Sequence, residues 1–386
     1  MSAPAGGRGP RILFAGGGTG GHLYPALALA EAFQRRDPRA EVFFVGAKRG
    51  VESRVLPERG VPHALLPLEP IRRSRVWENW RLFPAMMRAA AGLRRVFREF
   101  RPDLVVGTGG YASGPVVAWA LMRGIPAAVQ EQNSFPGVTT RWVAGRVRQI
   151  HLAFPEARQH LKPGPRTEVF ELGNPIRPPD PSPDRAAARA KFGLAAYGTV
   201  ALVVGGSQGA RAVNEALLAD LRGVSDGRLS PRPEGLEILW ATGPAHYEGI
   251  AARLAEVGAD WVHAVPYIQD MPSALAAADV AVSRAGAMAL AELCAWGIPM
   301  VLVPLPTAAA NHQHHNAVAL HDAGAAVMVP EAELGSGRLW AELVGMTADE
   351  GRRRELAQRA RERGRPDAAD QIVDRLTRLL EPGRAT

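Results

Sequence analysis

The chain alternates short apolar runs with longer segments in which apolar positions recur every three to four residues. The first kind reads as strands and the second as amphipathic helices. Residues 11–15 predict a strand, 16–21 a turn and 25–36 a helix, and 41–45 predict the second strand. A strand at 104–107, a glycine turn, a helix at 115–123 and a strand at 127–130 follow. The alternation restarts at 199–204, with 205–209 as turn and 210–221 as helix, and continues through strands at 237–242, 280–283 and 300–303. Strands alternating with helices imply an α/β protein with parallel, doubly wound sheets and right-handed crossovers.

The pattern occurs twice. Ile12-Leu-Phe-Ala-Gly-Gly-Gly and Ala201-Leu-Val-Val-Gly-Gly-Ser each set a strand against a glycine turn that opens a helix. Residues 103–126 and 279–299 also match: each runs Asp, apolar strand, glycine turn, Ala-rich helix, Gly-Ile-Pro and another strand. Two doubly wound domains are the simplest account, over residues 1–177 and 178–365, with 366–386 free to pack back on the first or to stay with the second. Five prolines at 175, 178, 179, 181 and 183 mark the linker, since proline ends regular structure and stiffens the chain.

Composition narrows the class. The 386 residues are 47% hydrophobic and 22% charged, ordinary for a globular protein. A single cysteine, Cys294, excludes a disulfide framework and a cysteine-based zinc site. No apolar run approaches the ~18 residues that span a bilayer. With no secretory signal at the start, the expected compartment is the cytoplasm. Net charge is +8, but residues 1–177 carry +13 and residues 178–386 carry −5. A basic half points to an anionic partner, nucleic acid or lipid, or else to a merely solvated basic surface. The stretch 71–101 concentrates the charge, with Arg72, Arg73, Arg75 and Arg81 among Val76, Trp77, Trp80 and Phe83. Tryptophan and arginine together fit an interfacial membrane patch; no nucleic-acid module is visible.

Candidate chemistry sits on the turns. Gly16-Gly-Gly-Thr-Gly-Gly-His22 follows the first strand, where backbone can approach a ligand and a helix N-terminus favours anions. Gly16, Gly18 and Gly21 satisfy a dinucleotide fingerprint, but the second strand ends in Phe44-Val-Gly-Ala-Lys48 without the acid that would hold a ribose. His22 is placed to take a proton near neutrality. Gly205-Gly-Ser-Gln-Gly-Ala-Arg211 offers N–H groups and the Ser207 hydroxyl to a diphosphate and lacks the Gly-Lys-Ser/Thr ending of a P-loop. In Ser283-Arg-Ala-Gly-Ala-Met-Ala-Leu-Ala-Glu292, Glu292 falls about one and a half turns into a helix, where its carboxylate could accept bonds from two vicinal hydroxyls; a surface glutamate is the plain alternative. Glu131-Gln-Asn133 and Asn311-His-Gln-His-His-Asn316 are amide-rich and suit a sugar better than a metal.

Taken in order, these motifs, with Gly109-Gly-Tyr-Ala-Ser-Gly-Pro115 and Gly173-Asn-Pro-Ile-Arg177, resemble the MurG family, the bacterial glycosyltransferases of peptidoglycan synthesis. The resemblance implies a GT-B fold, two Rossmann-like domains around a cleft. It implies transfer of N-acetylglucosamine from UDP-GlcNAc, bound mainly by the second domain, to undecaprenyl-diphosphate-MurNAc-pentapeptide (lipid I), giving the β-1,4 link of lipid II. No tightly bound cofactor or metal is implied, and the place of action would be the cytoplasmic face of the cell membrane, peripherally. By the same resemblance Thr19, Gly20, Gly21 and Asn133 lie beside the donor sugar and Arg177 and Ser207, with Gln208 adjacent, hold the diphosphate. Ile268 meets the uracil, while Ala287, Met288, Ala289, Leu290, Ala291 and Glu292 cover the α-phosphate and ribose. Gln313 contacts the sugar, and His22 is the general base. The family often has His where this chain has Gln130, and a more acidic loop where it has Thr307-Ala-Ala-Ala-Asn-His. A sugar-nucleotide epimerase, a non-catalytic UDP-sugar-binding protein and a dehydrogenase are the competing readings.

Overall fold

The computed structural model describes residues 8–69 and 83–381. Contacts divide the chain into two compact units, Met1–Arg177 with Asp367–Thr386, and Pro178–Pro366. The first contains β1 (Arg11–Gly16), β2 (Glu41–Ala47), β3 (His63–Leu66), β4 (Leu104–Gly109), β5 (Ala127–Glu131), β6 (Gln149–Leu152) and β7 (Glu168–Glu171), in the order β3-β2-β1-β4-β5-β6-β7. The second contains β8 (Thr199–Val204), β9 (Leu236–Ala241), β10 (Val262–Val265), β11 (Val280–Ser283), β12 (Met300–Leu302) and β13 (Ala326–Met328), in the order β10-β9-β8-β11-β12-β13. Every pairing in both sheets is parallel.

Helices cover both faces, so the central strands are apolar without alternation. Ile12, Leu13, Phe14 and Ala15 are all buried, and Phe14 stacks on Phe44 at 5.4 Å between ring centres. The second unit has its own core, in which Trp240 and Trp340 are the largest buried side chains. The two sheets begin alike. Asp103 accepts the Arg11 N–H at 2.9 Å and Asp279 accepts the Val200 N–H at 2.8 Å, so in each unit an aspartate ahead of the fourth strand clamps the start of the first.

Two helices begin earlier than the sequence pattern predicts. One spans Gly20–Arg36 and the other Gly110–Met122. In both a proline, Pro25 or Pro115, is the sixth helical residue. Proline favours the first helical position and so marks the wrong start when the preceding turn is built from glycine. His22 is therefore in the first turn of a helix and not on a loop. The final helix, Ala368–Thr377, belongs to the first unit: Ala369, Ile372, Val373 and Leu376 join the core formed by Ile12, Phe14, Leu29 and Phe33. Arg35 pairs with Asp370 at 2.9 Å, and Arg36 pairs with Asp374.

Candidate functional site

In doubly wound sheets ligands bind at the carboxyl ends of the strands, where the strand order reverses. In the first unit that point lies between β1 and β4 and gathers His22, Thr19 and Gly109-Gly110. Thr19 caps the helix, and its hydroxyl lies 3.1 Å from His22 Nδ1, which orients the imidazole. Thr108 on β4 donates to the His22 carbonyl at 2.7 Å and ties the helix start to the sheet. The backbone of Gly109 has φ +96°, and a Cβ there would come 2.7 Å from the imidazole carbon Cδ2. Glycine is what lets the strand pass so close to the ring.

Asn133 follows β5, held by Glu131. That buried carboxylate accepts from the Asn133 N–H at 3.1 Å, Asn133 Nδ2 at 3.3 Å, the Gly137 N–H at 2.9 Å and the Thr140 hydroxyl at 2.6 Å. Beneath this loop Gln130 donates to Asn174 Oδ1 at 2.9 Å, Asn174 donates to the Gln132 carbonyl at 3.1 Å, and Gln132 donates to the Thr108 carbonyl at 2.9 Å. Gln130 is thus part of a buried amide network under the loop. Asn174, singled out in Gly173-Asn-Pro-Ile-Arg177, is part of the same network. Arg177 is exposed at the end of the first unit.

In the second unit the reversal lies between β8 and β11, and a cavity of about 220 Å³ opens there. Ser207, Ile268, Ala289, Glu292 and Gln313 line it, as do Tyr267 and Arg284. The helix Ala287–Trp296 presents Ala289, Glu292 and Leu293 to the cavity, one face by their i, i+3, i+4 spacing. Its N-terminus brings partial positive charge. Leu290 is buried away from the cavity lining, and Ala287, Met288 and Ala291 lie on the same turns without lining the cavity. Gln208 is exposed beside Ser207. Gln313 accepts the Leu305 N–H at 3.0 Å, which leaves its NH₂ as a donor to the cavity.

Two features escaped the sequence reading. Burial pushes the Glu292 carboxyl up to about 7 from 4.5, so a group expected to be plainly ionised is poised near neutrality. Arg284, a cavity-lining cation, donates to the Val303 carbonyl at 3.1 Å and pairs with Glu331 at 2.6 Å. The glycine-flanked, partly apolar loop around Arg284 gave no signal of a charge partner 47 residues on. The predicted membrane patch, Arg72, Arg73, Arg75, Val76, Trp77, Trp80 and Arg81, lies outside the described residues, and Phe83 enters as the first residue of the helix Phe83–Phe100. Among the described residues no helix is long and apolar enough to cross a membrane, and no three His, Cys, Asp or Glu converge as a metal site would require.

Two doubly wound parallel units, the second with a cavity of about 220 Å³ at its strand ends, are the architecture found in GT-B glycosyltransferases. Residues 12–152 match the glycosyltransferase family 28 N-terminal domain and residues 200–372 its C-terminal domain. The chain is 39% identical over 381 residues to the UDP-N-acetylglucosamine--N-acetylmuramyl-(pentapeptide) pyrophosphoryl-undecaprenol N-acetylglucosamine transferase of Moorella thermoacetica, covering 97% of this chain and 100% of that one. It is 38% identical to the protein of the same name from Desulfitobacterium hafniense, over 94% of this chain and 97% of the relative. The crystal structure of Acinetobacter baumannii MurG superposes with a TM-score of 0.74 at 28% identity, covering 96% and 99% of the two chains. The chain belongs to glycosyltransferase family 28, in its MurG branch.

Proposed function

We propose that the protein transfers N-acetylglucosamine from UDP-GlcNAc to the MurNAc of undecaprenyl-diphosphate-MurNAc-pentapeptide, forming lipid II for peptidoglycan. The observation that carries this is kinship at 39% identity, nearly end to end, with a transferase named for that donor and acceptor. The cavity suits the donor. Tyr267 and Ile268 offer apolar surface to uracil, and Glu292 accepts from the ribose hydroxyls. Ser207 and the N-terminus of the Ala287–Trp296 helix face the diphosphate, with Arg177 and Gln208 as further donors. Gln313 donates to the sugar.

The acceptor's 4-hydroxyl attacks the donor's anomeric carbon, the C1–O bond to phosphate breaks, and UDP leaves with the bonding pair. The hydroxyl proton passes to His22, whose ring Thr19 orients. Attack opposite the leaving group converts the α-linked donor into a β-1,4 product. The leaving diphosphate is stabilised where its charge grows, by Ser207 and the helix dipole. Thr19, Gly20, Gly21 and Asn133 border the reacting sugars. The acceptor is a lipid, and the basic first half with the 72–83 Arg/Trp stretch suits an anionic membrane surface, so we place the enzyme peripherally on the inner face of the cell membrane.

A transfer assay with labelled UDP-GlcNAc and a lipid I analogue tests the reading. Label should move to the lipid and UDP should be released only when the analogue is present. An epimerase would alter UDP-GlcNAc without it, and that result would overturn the proposal. Replacing His22 with Ala should cut turnover by about 10²–10⁴-fold while UDP-GlcNAc binding, measured by calorimetry, stays near wild type.

A further inference from the structure

One side chain ties together the loops after three neighbouring strands of the second unit. Arg284 follows β11, and its guanidinium reaches across the end of β12 to Glu331 beyond β13, a span of two strand spacings or roughly 10 Å. On the way Nη1 donates to the Val303 carbonyl at 3.1 Å and to the Pro304 carbonyl at 3.4 Å, and Nη2 pairs with Glu331 at 2.6 Å. Arg284 is buried, and Glu331 opens the short helical turn Glu331–Ser336 outside the cavity lining. The residue after the two gripped carbonyls is Leu305, whose N–H holds the side-chain oxygen of Gln313. Asn316, one turn on from Gln313 in the helix His312–Asp322, donates to the Ala285 carbonyl at 3.2 Å, so that helix is also fastened to the loop that carries Arg284.

We infer that Arg284 and Glu331 are positioning residues for the donor sugar: through the turn 303–305 they fix the orientation of the Gln313 amide, so that its NH₂ faces the cavity. A side-chain amide can present a donor or an acceptor, and the partner at its other end decides which. Here that partner is the Leu305 N–H, and its place is set by the two carbonyls ahead of it that Arg284 grips. Arginine suits the task because its planar fork serves several acceptors at once, which the point charge of lysine does not. The same bonds occupy the guanidinium. A cation at a nucleotide cavity would ordinarily be assigned to a diphosphate, yet this one is committed to two carbonyls and a carboxylate. The diphosphate is left to Ser207 and the helix N-terminus, and Arg284 acts on the sugar through Gln313.

The inference rests on the donor-site reading above, and calorimetric titration of full-length protein with UDP and with UDP-GlcNAc tests it without turnover. In Glu331→Ala the affinity for UDP-GlcNAc should fall about 5–10-fold, the scale of one neutral hydrogen bond, while that for UDP stays within about twofold. Glu331→Gln, which keeps the shape and an acceptor oxygen, should show the same selectivity with about a threefold loss. Arg284→Lys, which keeps the charge but not the fork, should lose as much UDP-GlcNAc affinity as Glu331→Ala. Gln313→Ala sets the limit: Glu331→Ala added to it should weaken UDP-GlcNAc binding no further, because changes that act through one side chain do not add. Equal losses for UDP and UDP-GlcNAc in the Glu331 variants would overturn the inference. So would additive losses in the double variant, or Glu331→Gln and Arg284→Lys proteins that bind UDP-GlcNAc like wild type. A Gln313→Ala protein with wild-type affinity for UDP-GlcNAc would instead remove the sugar contact from the donor-site reading, and the inference with it.

Discussion

Glu292 shows how one side chain couples burial to function. The cavity it lines, where the proposed donor pose puts a ribose, also desolvates it, which is why its carboxyl is held near 7. Two hydroxyls donating to it favour the ionised form, so donor binding should tighten as pH rises from about 6 to 8. The KM for UDP-GlcNAc, followed across that range, should fall severalfold in wild type and stay flat, and higher, in Glu292→Gln. The effect on stability has the opposite sign. The folded chain holds a proton between 4.5 and about 7 that the unfolded chain has released, so this group's contribution is full below 4.5 and is lost as pH rises through about 7. Glu292→Gln should therefore weaken donor binding yet be at least as stable as wild type at pH 8, measured by chemical denaturation.

At the scale of elements, the loop after β5 depends on Glu131. Four donors converge on its two oxygens, and removing them together leaves several buried groups unpaired. Glu131→Ala should cost about 3 kcal/mol or more, since hydrogen bonds to a charged group contribute roughly 1.5–3 kcal/mol each without adding fully. Its turnover should fall further than stability alone explains, because Asn133 loses its anchor; Asn133→Ala, assayed alongside, should lose turnover with little change in melting. The motif containing Glu131 was legible because acid and amides are rare in a row at a strand end, but the division of labour within it was not. Glu131 is the last residue of β5, where its carboxylate folds back on the turn and anchors the backbone and side chain of Asn133, two residues on. The central strands and both glycine turns were legible for a related reason: apolar runs beside glycine turns have few other meanings; β6 was not, because its buried Gln149 and His151 break the apolar run. The edge strands β3, β7, β10 and β13 were not. Each has three or four residues with at most one of them buried, too short a run to show either a continuous or an alternating pattern.

For the whole molecule, the two units have separate cores, and burial shifts their titratable groups so that acid should act on them in opposite senses. In the first, His151 is fully buried against Phe170, and burial followed by the nearby Arg375 pushes it down to about 3 from 6.5. The unfolded chain takes up that proton below 6.5 and the folded one does not, so the first unit loses stability as pH falls from 6.5 towards 3. In the second, burial pushes Asp220, which accepts the Trp340 N–H at 3.1 Å, up to about 6, and Glu292 is raised as well. Lowering the pH from 7 to 5 relieves both. Differential scanning calorimetry should then show two transitions that move apart in a predictable sense, with the melting temperature of the first unit falling and that of the second rising. Ile372→Ala assigns them. Its side chain lies in the first unit's core, so it should cost that unit about 2–5 kcal/mol and shift only the transition that acid weakens. His151→Leu should flatten the acid dependence of the same transition. A single transition that follows both substitutions would mean that the two cores unfold as one.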